Sequence, residues 1–115
     1  MENVIEDKSF QFAVRIVNLH KHIVFSHKEY ILTKQLLRSG TSIGANVAEA
    51  QQAQSRPDFI SKMSIALKET TESKYWLRLL QATDYLSSEE FSSIFADCVE
   101  IEKLLVSIIK SAKQN

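Results

Sequence analysis

The stretch Leu36–Gln51, LLRSGTSIGANVAEAQ, holds both glycines of a 115-residue chain that has a single proline. Inside it, Gly40 to Gly44 reads G-T-S-I-G and fits G-x-S-x-G, the pattern in which a serine nucleophile rides a sharp strand-to-helix turn. That elbow needs a buried strand ahead of the serine and a sheet beneath it. The residues ahead, ILTKQLLR (Ile31–Arg38), follow a helical pattern with a lysine and an arginine. Nothing in the chain alternates or runs apolar like a parallel strand. Ser42 is therefore not read as a nucleophile, and the chain is not read as an enzyme.

The other reading is a helix with a bare face. Gly40, Gly44 and Ala48 stand four apart on one helical line that carries almost no side chain. Two interior glycines cost about 2 kcal/mol relative to alanine, and Ser39, Thr41, Ser42 and Asn46 add roughly 2 more. A deficit near ~4 kcal/mol is a large share of a small domain's stability, so another backbone or side chain is expected to approach closely along this line. Leu36, Gly40, Ile43, Val47 and Ala50 keep alternating spacings of four and three, as a heptad seam does. The phase carries through Gly40. It predicts a continuous helix, straight or bent, rather than one that stops at Gly40 and restarts at Ser42.

Working outward, this second helix spans about Tyr30 to Ala53. The first covers roughly residues 8 to 27, with Phe12, Ile16, Leu19 and Ile23 on one line, Ala13, Val17 and Val24 beside it, and Asp7 or Ser9 as its cap. Its wide apolar arc predicts burial against more than one neighbour. The third begins at SRPD, where Ser55 caps, Pro57 falls in the first turn and Asp58 completes an S-x-x-D box. Phe59, Met63, Ala66, Thr70, Leu77 and Leu80 form its stripe. The fourth begins at SSEE with Ser87 and Glu90 as a second box, and Phe91, Ile94, Cys98, Ile101, Leu105, Ile108 and Ala112 form its seam. Four long helices with short connections predict an all-α, antiparallel up-and-down four-helix bundle, one domain over residues 1–115. With 44% hydrophobic and 24% charged residues, a disordered chain is excluded.

The 14 basic and 14 acidic residues cancel, which argues against strong sequence-independent binding to a polyanion. A lone cysteine, Cys98, forms no internal disulfide and fits a reducing compartment. The acidic start, MENVIEDKSF, lacks a secretory pattern, and no apolar run reaches the ~18 residues of a membrane span. A cytoplasmic protein without membrane contact is expected.

The run QLLRSGTSIGANVAEAQ, followed by DFISKMSIALKETTESKYWLRLL (Asp58–Leu80) and DYLS (Asp84–Ser87), resembles the bacterial four-helix-bundle family of 23S ribosomal RNA intervening-sequence proteins. The block R-S-x-x-S-I-G-A-N-x-A-E-A, here Arg38 to Ala50, is its most specific part, and the resemblance covers essentially the whole chain. It implies a cytoplasmic bundle that assembles as a ring, typically a homopentamer, with no catalytic residues or cofactor to carry over. A related branch, the accessory proteins of diversity-generating retroelements, binds nucleic acid and a reverse transcriptase. Those proteins are strongly basic and this chain is neutral, so an accessory role in RNA or DNA transactions rests on the resemblance. The alternative is a protein–protein interaction module with no nucleic-acid contact.

The charges are unevenly spread. Lys8, Arg15, Lys21, Lys28, Lys34 and Arg38 occur with one acid, Glu29, among them, and His20, His22 and His27 are interleaved. Asp84, Glu89, Glu90, Asp97, Glu100 and Glu102 occur with no base among them. Three readings follow: a phosphate-contacting stripe, the two halves of a head-to-tail contact between subunits, or a match between helices 1 and 4 within one chain. No metal site is expected, since His20 and His27 stand about 10 Å apart along the axis and His22 points elsewhere. In the third helix, Lys68 and Glu72 read as part of a solvated charge ladder with Glu69, Lys74 and Arg78. Trp76, beside Tyr75, is a packing or interface anchor.

Overall fold

The computed structural model describes residues 3–114. Helices α1 (Val4–His27), α2 (Leu32–Ala50), α3 (Arg56–Ala82) and α4 (Ser88–Gln114) run up and down in chain order. Each touches its sequence neighbours, α1 also meets α4 along a lighter seam, and the diagonal pairs stay apart. The result is a rod of 47 × 23 × 20 Å. Among the described residues there is no strand, and no helix is long and apolar enough to cross a membrane.

Helix α1 begins a turn earlier than the apolar pattern predicts. Asn3, not Asp7 or Ser9, is the cap, and its side chain accepts from the Glu6 amide at 3.1 Å. Ser9 lies fully buried inside the helix and donates to the Glu6 carbonyl. At the other end, Lys28 closes the helix in the left-handed conformation, φ 56°, its amide returning to the Val24 carbonyl.

Helix α2 is shorter than the predicted Tyr30–Ala53, and its start has an unusual cause. Ile31 offers no capping side chain. Instead the Glu29 carboxylate accepts from the amides of Ile31, Leu32 and Thr33 at 2.9–3.1 Å. Burial alone would raise the Glu29 pKa, yet these amides outweigh it and hold the group below its ordinary value. Past Ala50 the chain turns, with the amides of Gln51, Gln52 and Ala53 reaching back to Ala48, Glu49 and Ala50.

The caps of α3 and α4 follow local chemistry. Ser55 accepts from the Asp58 amide, while the Asp58 carboxylate accepts from Gln54. Ser87 and Glu90 bond reciprocally, each side chain to the other's amide, which lowers the Glu90 pKa.

The core is one column in which Phe12, Ile16, Ile23, Leu36, Ile43, Met63, Leu77, Leu80, Ile101 and Leu105 are almost wholly enclosed. The α2 seam from Leu36 to Ala50 is buried throughout. On α4, Ile109 rather than Ile108 takes the last buried place, because an unsupercoiled helix drifts out of a strict seven-residue repeat.

Candidate interaction surfaces

The glycine helix packs against both neighbours. It stays continuous through Gly40, and neither glycine has positive φ. Toward α1, a Cβ placed on Gly40 would lie 2.8 Å from Ile16 Cγ1, and one on Gly44 would lie 3.2 Å from the Ser9 carbonyl oxygen. The bare line is therefore filled within the chain, by a branched side chain at one level and by backbone at the next. Ala48 does not belong to it and is exposed. Each four-residue step overshoots a full turn by about 40°, so Ala48 has rotated roughly 80° from Gly40.

Toward α3, buried Ser39 and Ser73 meet hydroxyl to hydroxyl at 2.9 Å. One donates to the other, and the accepting one gives its own proton to a carbonyl one turn back on its helix, Leu36 for Ser39 or Glu69 for Ser73. Thr41, Ser42 and Asn46 satisfy themselves in the same way, on the carbonyls of Leu37, Arg38 and Ser42. The polar residues that weaken this helix in propensity terms thus keep both flanks thin. The Ser42 hydroxyl sits in mid-helix and donates to the Arg38 carbonyl oxygen at 2.6 Å.

Of the six basic candidates, three are held by carboxylates of their own chain. Lys8 pairs with Glu100 at 3.0 Å, and Arg15 pairs with Asp97 at 2.6 Å while also donating to Ser93. These contacts lie across the α1–α4 seam and are the within-chain match among the three readings. Arg38 crosses from α2 to α3 and is gripped by Glu69 and Glu72, which raise its pKa further. The Trp76 indole N–H also donates to Glu72 at 2.9 Å, and this bond, then Arg38, holds Glu72 below its ordinary pKa. The predicted ladder on α3 is thus mainly a set of interhelix clamps, since Lys74 likewise pairs with Glu102 of α4. Half-buried Trp76 packs against the core with exposed Tyr75 set edge-on to it.

Lys21, Lys28 and Lys34 remain exposed and outside these ion pairs. Lys28 lies over the Phe25 ring at 5.4 Å. The histidines separate: His20 contacts Thr33, His22 contacts Ser26, and His27 meets the Tyr85 ring. No metal-capable cluster of His, Cys, Asp and Glu occurs among the described residues. Cys98 is fully enclosed, and burial, helped by Glu102, pushes its thiol up to about 12.

Among the residues that α1 leaves outside are large apolar ones. Phe10 is 63% exposed, Val14 41% and Phe25 79%. Phe10, Val14 and half-buried Val17 line a shallow hollow with Ala13 and Asn18. Tyr30 and Ile31 project from the α1–α2 connection. The wide arc of α1 is visible in the sequence, but which part of it stays outside is not. The spacing of Phe10, Val14 and Val17 was the available signal.

A profile of the 23S rRNA-intervening sequence protein family matches residues 1–107. Among solved structures the chain is similar to a protein from Bacteroides thetaiotaomicron, described as of unknown function and from the S23 ribosomal protein family. The two are 60% identical over 92% of this chain and 98% of that one, with a TM-score of 0.91. No curated protein matches the chain.

Proposed function

The chain belongs to the family of 23S rRNA-intervening sequence proteins, and from that premise we propose that it is a non-enzymatic, self-assembling helical scaffold of the cytoplasm, built as a homopentameric ring. The observation that carries this reading is the exposure of large apolar side chains on the outer face of α1, where Phe10, Val14 and Phe25 face water in the single chain. Monomeric proteins seldom expose large contiguous apolar patches, whereas interfaces are enriched in aromatic residues. The reading without catalysis draws support from the serine of the elbow pattern and from the lone cysteine. Ser42 is bonded to its own helix and Cys98 is a buried thiol of high pKa. Light scattering behind a sizing column is expected to give about five times the 13.1 kDa chain mass. A mass of one chain overturns the proposal.

A second reading, contact with RNA or DNA, is favoured by Lys21, Lys28 and Lys34 lying near exposed Phe25 and Tyr30, a basic and aromatic end of the rod. Mobility-shift titrations of a single-stranded RNA at two salt concentrations separate the readings. Phosphate contact predicts a log-linear loss of affinity with salt whose slope falls by about 1 for each Lys→Gln change. The scaffold alone predicts no shift at either salt.

A further inference from the structure

Two lines of residues on the outside of the rod match one another. Asp7, Val14 and Lys21 are seven apart, so they share one line on the outer face of α1, and all three are exposed. Glu89, Ala96 and Lys103 are also seven apart and exposed on α4, with Val99 and Val106 beside them. None of the four charged residues belongs to an ion pair of its own chain among the described residues.

Their heights along the rod also agree. Helices α1 and α4 are antiparallel, and Lys8 meets Glu100 while Arg15 meets Asp97 and Ser93. Residues of the two helices whose numbers add to about 110 therefore stand level. On that scale Asp7 is level with Lys103, Val14 with Ala96 and Lys21 with Glu89. The charges are opposite at both ends, and the middle pair sets a branched side chain against a small one.

Resting on the ring reading above, we propose that the α1 line of one copy docks antiparallel along the α4 line of the next, pairing Asp7 with Lys103 and Lys21 with Glu89 around Val14 on Ala96. In a closed ring of upright rods, rotation about the axis leaves height unchanged, so contacting residues must be level. The contact uses two different surfaces, as a ring requires. Helices α1 and α4 occupy adjacent corners of the bundle, whose outward directions differ by about 90°, and five-fold closure needs about 108° between a subunit's two contact directions. The partner is thus a second copy of this chain, and the hollow beside Phe10 and Val17 is covered by the flank of α4 that carries Val99.

The test is a set of charge reversals at these exposed positions, read by solution mass at low salt, with circular dichroism confirming the helices. Asp7→Lys/Lys21→Glu and Glu89→Lys/Lys103→Glu should each reduce the assembly about fivefold to single chains, because like charges then oppose across every contact. The fourfold combination should restore the wild-type mass. The α1 line is also complementary to an inverted copy of itself about Val14. If that were the contact, the α1 reversal would keep its partner and the α4 reversal would be silent, and this pairing would be overturned. A wild-type assembly unmoved by the α4 reversal overturns the pairing and leaves the ring intact. A wild-type monomer overturns both.

Discussion

Replacing Gly40 by alanine should lower the unfolding midpoint by roughly 5 °C, even though alanine is the better helix former by about 1 kcal/mol. The new methyl would sit 2.8 Å and 2.9 Å from the two γ carbons of Ile16. Those atoms branch directly from Cβ of a residue with no exposure, so they cannot swing aside as the tip of a long side chain could. Overpacking of this kind typically costs about 1–3 kcal/mol, which exceeds the helical gain. The control is Gly44→Ala, whose methyl meets the Ser9 carbonyl oxygen at 3.2 Å. A shift of a few tenths of an ångström relieves it, and the net effect should stay within about 0.5 kcal/mol. A double-mutant cycle decides the cause. In an Ile16→Ala background, itself destabilised by about 2–5 kcal/mol, Gly40→Ala should turn stabilising because the methyl enters vacated space. If it remained equally harmful there, the close approach of α1 would not be the reason for this glycine.

Glu29→Ala should remove about 2 kcal/mol, an unusual loss for a residue in a connecting segment. Helix α2 has no acid in its first turn and no capping hydroxyl, so one carboxylate serves three orphan amides. The pH dependence follows from the same contacts. The folded pKa of Glu29 lies below the ordinary 4.5, so its stabilisation is complete above about pH 4.5 and fades as pH falls through the depressed value. Glu72 and Glu90 are shifted the same way, by the Trp76 indole and by Ser87, and contribute in the same window. Urea titrations at pH 7 and pH 3.5 should show a smaller acid loss in Glu29→Gln than in the wild type. An equal loss in both would assign the acid sensitivity to other carboxylates.

What could be read from the sequence was what neighbouring residues decide. The box at Ser87 and Glu90 and the cap at Ser55, with Pro57 in the first turn, are local chemistry, and the α2 seam is a periodicity spoiled by no interruption. The start of α1 lies earlier than the line through Phe12 and Ile16 implies, because Asn3 supplies a cap and Ile5 a buried contact ahead of it. The α4 seam slipped at Ile108 because a heptad extended over four turns does not follow a straight helix. Interhelix contacts were beyond reach. Nothing near Arg38 in the chain announces Glu69 and Glu72, and Ser39 finds Ser73 only once α2 and α3 are set in register. The candidate surface was half legible: the charge asymmetry was visible, but only the fold shows that Lys8 and Arg15 are already matched by Glu100 and Asp97.

The lone thiol, enclosed where α4 faces the Thr70 carbonyl, has a practical consequence. A reagent that attacks thiolates finds no target while the four helices stay closed, so the pace of Cys98 modification measures how often the column of side chains comes apart. The chain carries its own stopwatch, one that needs no added dye and ignores fraying at the helix tips.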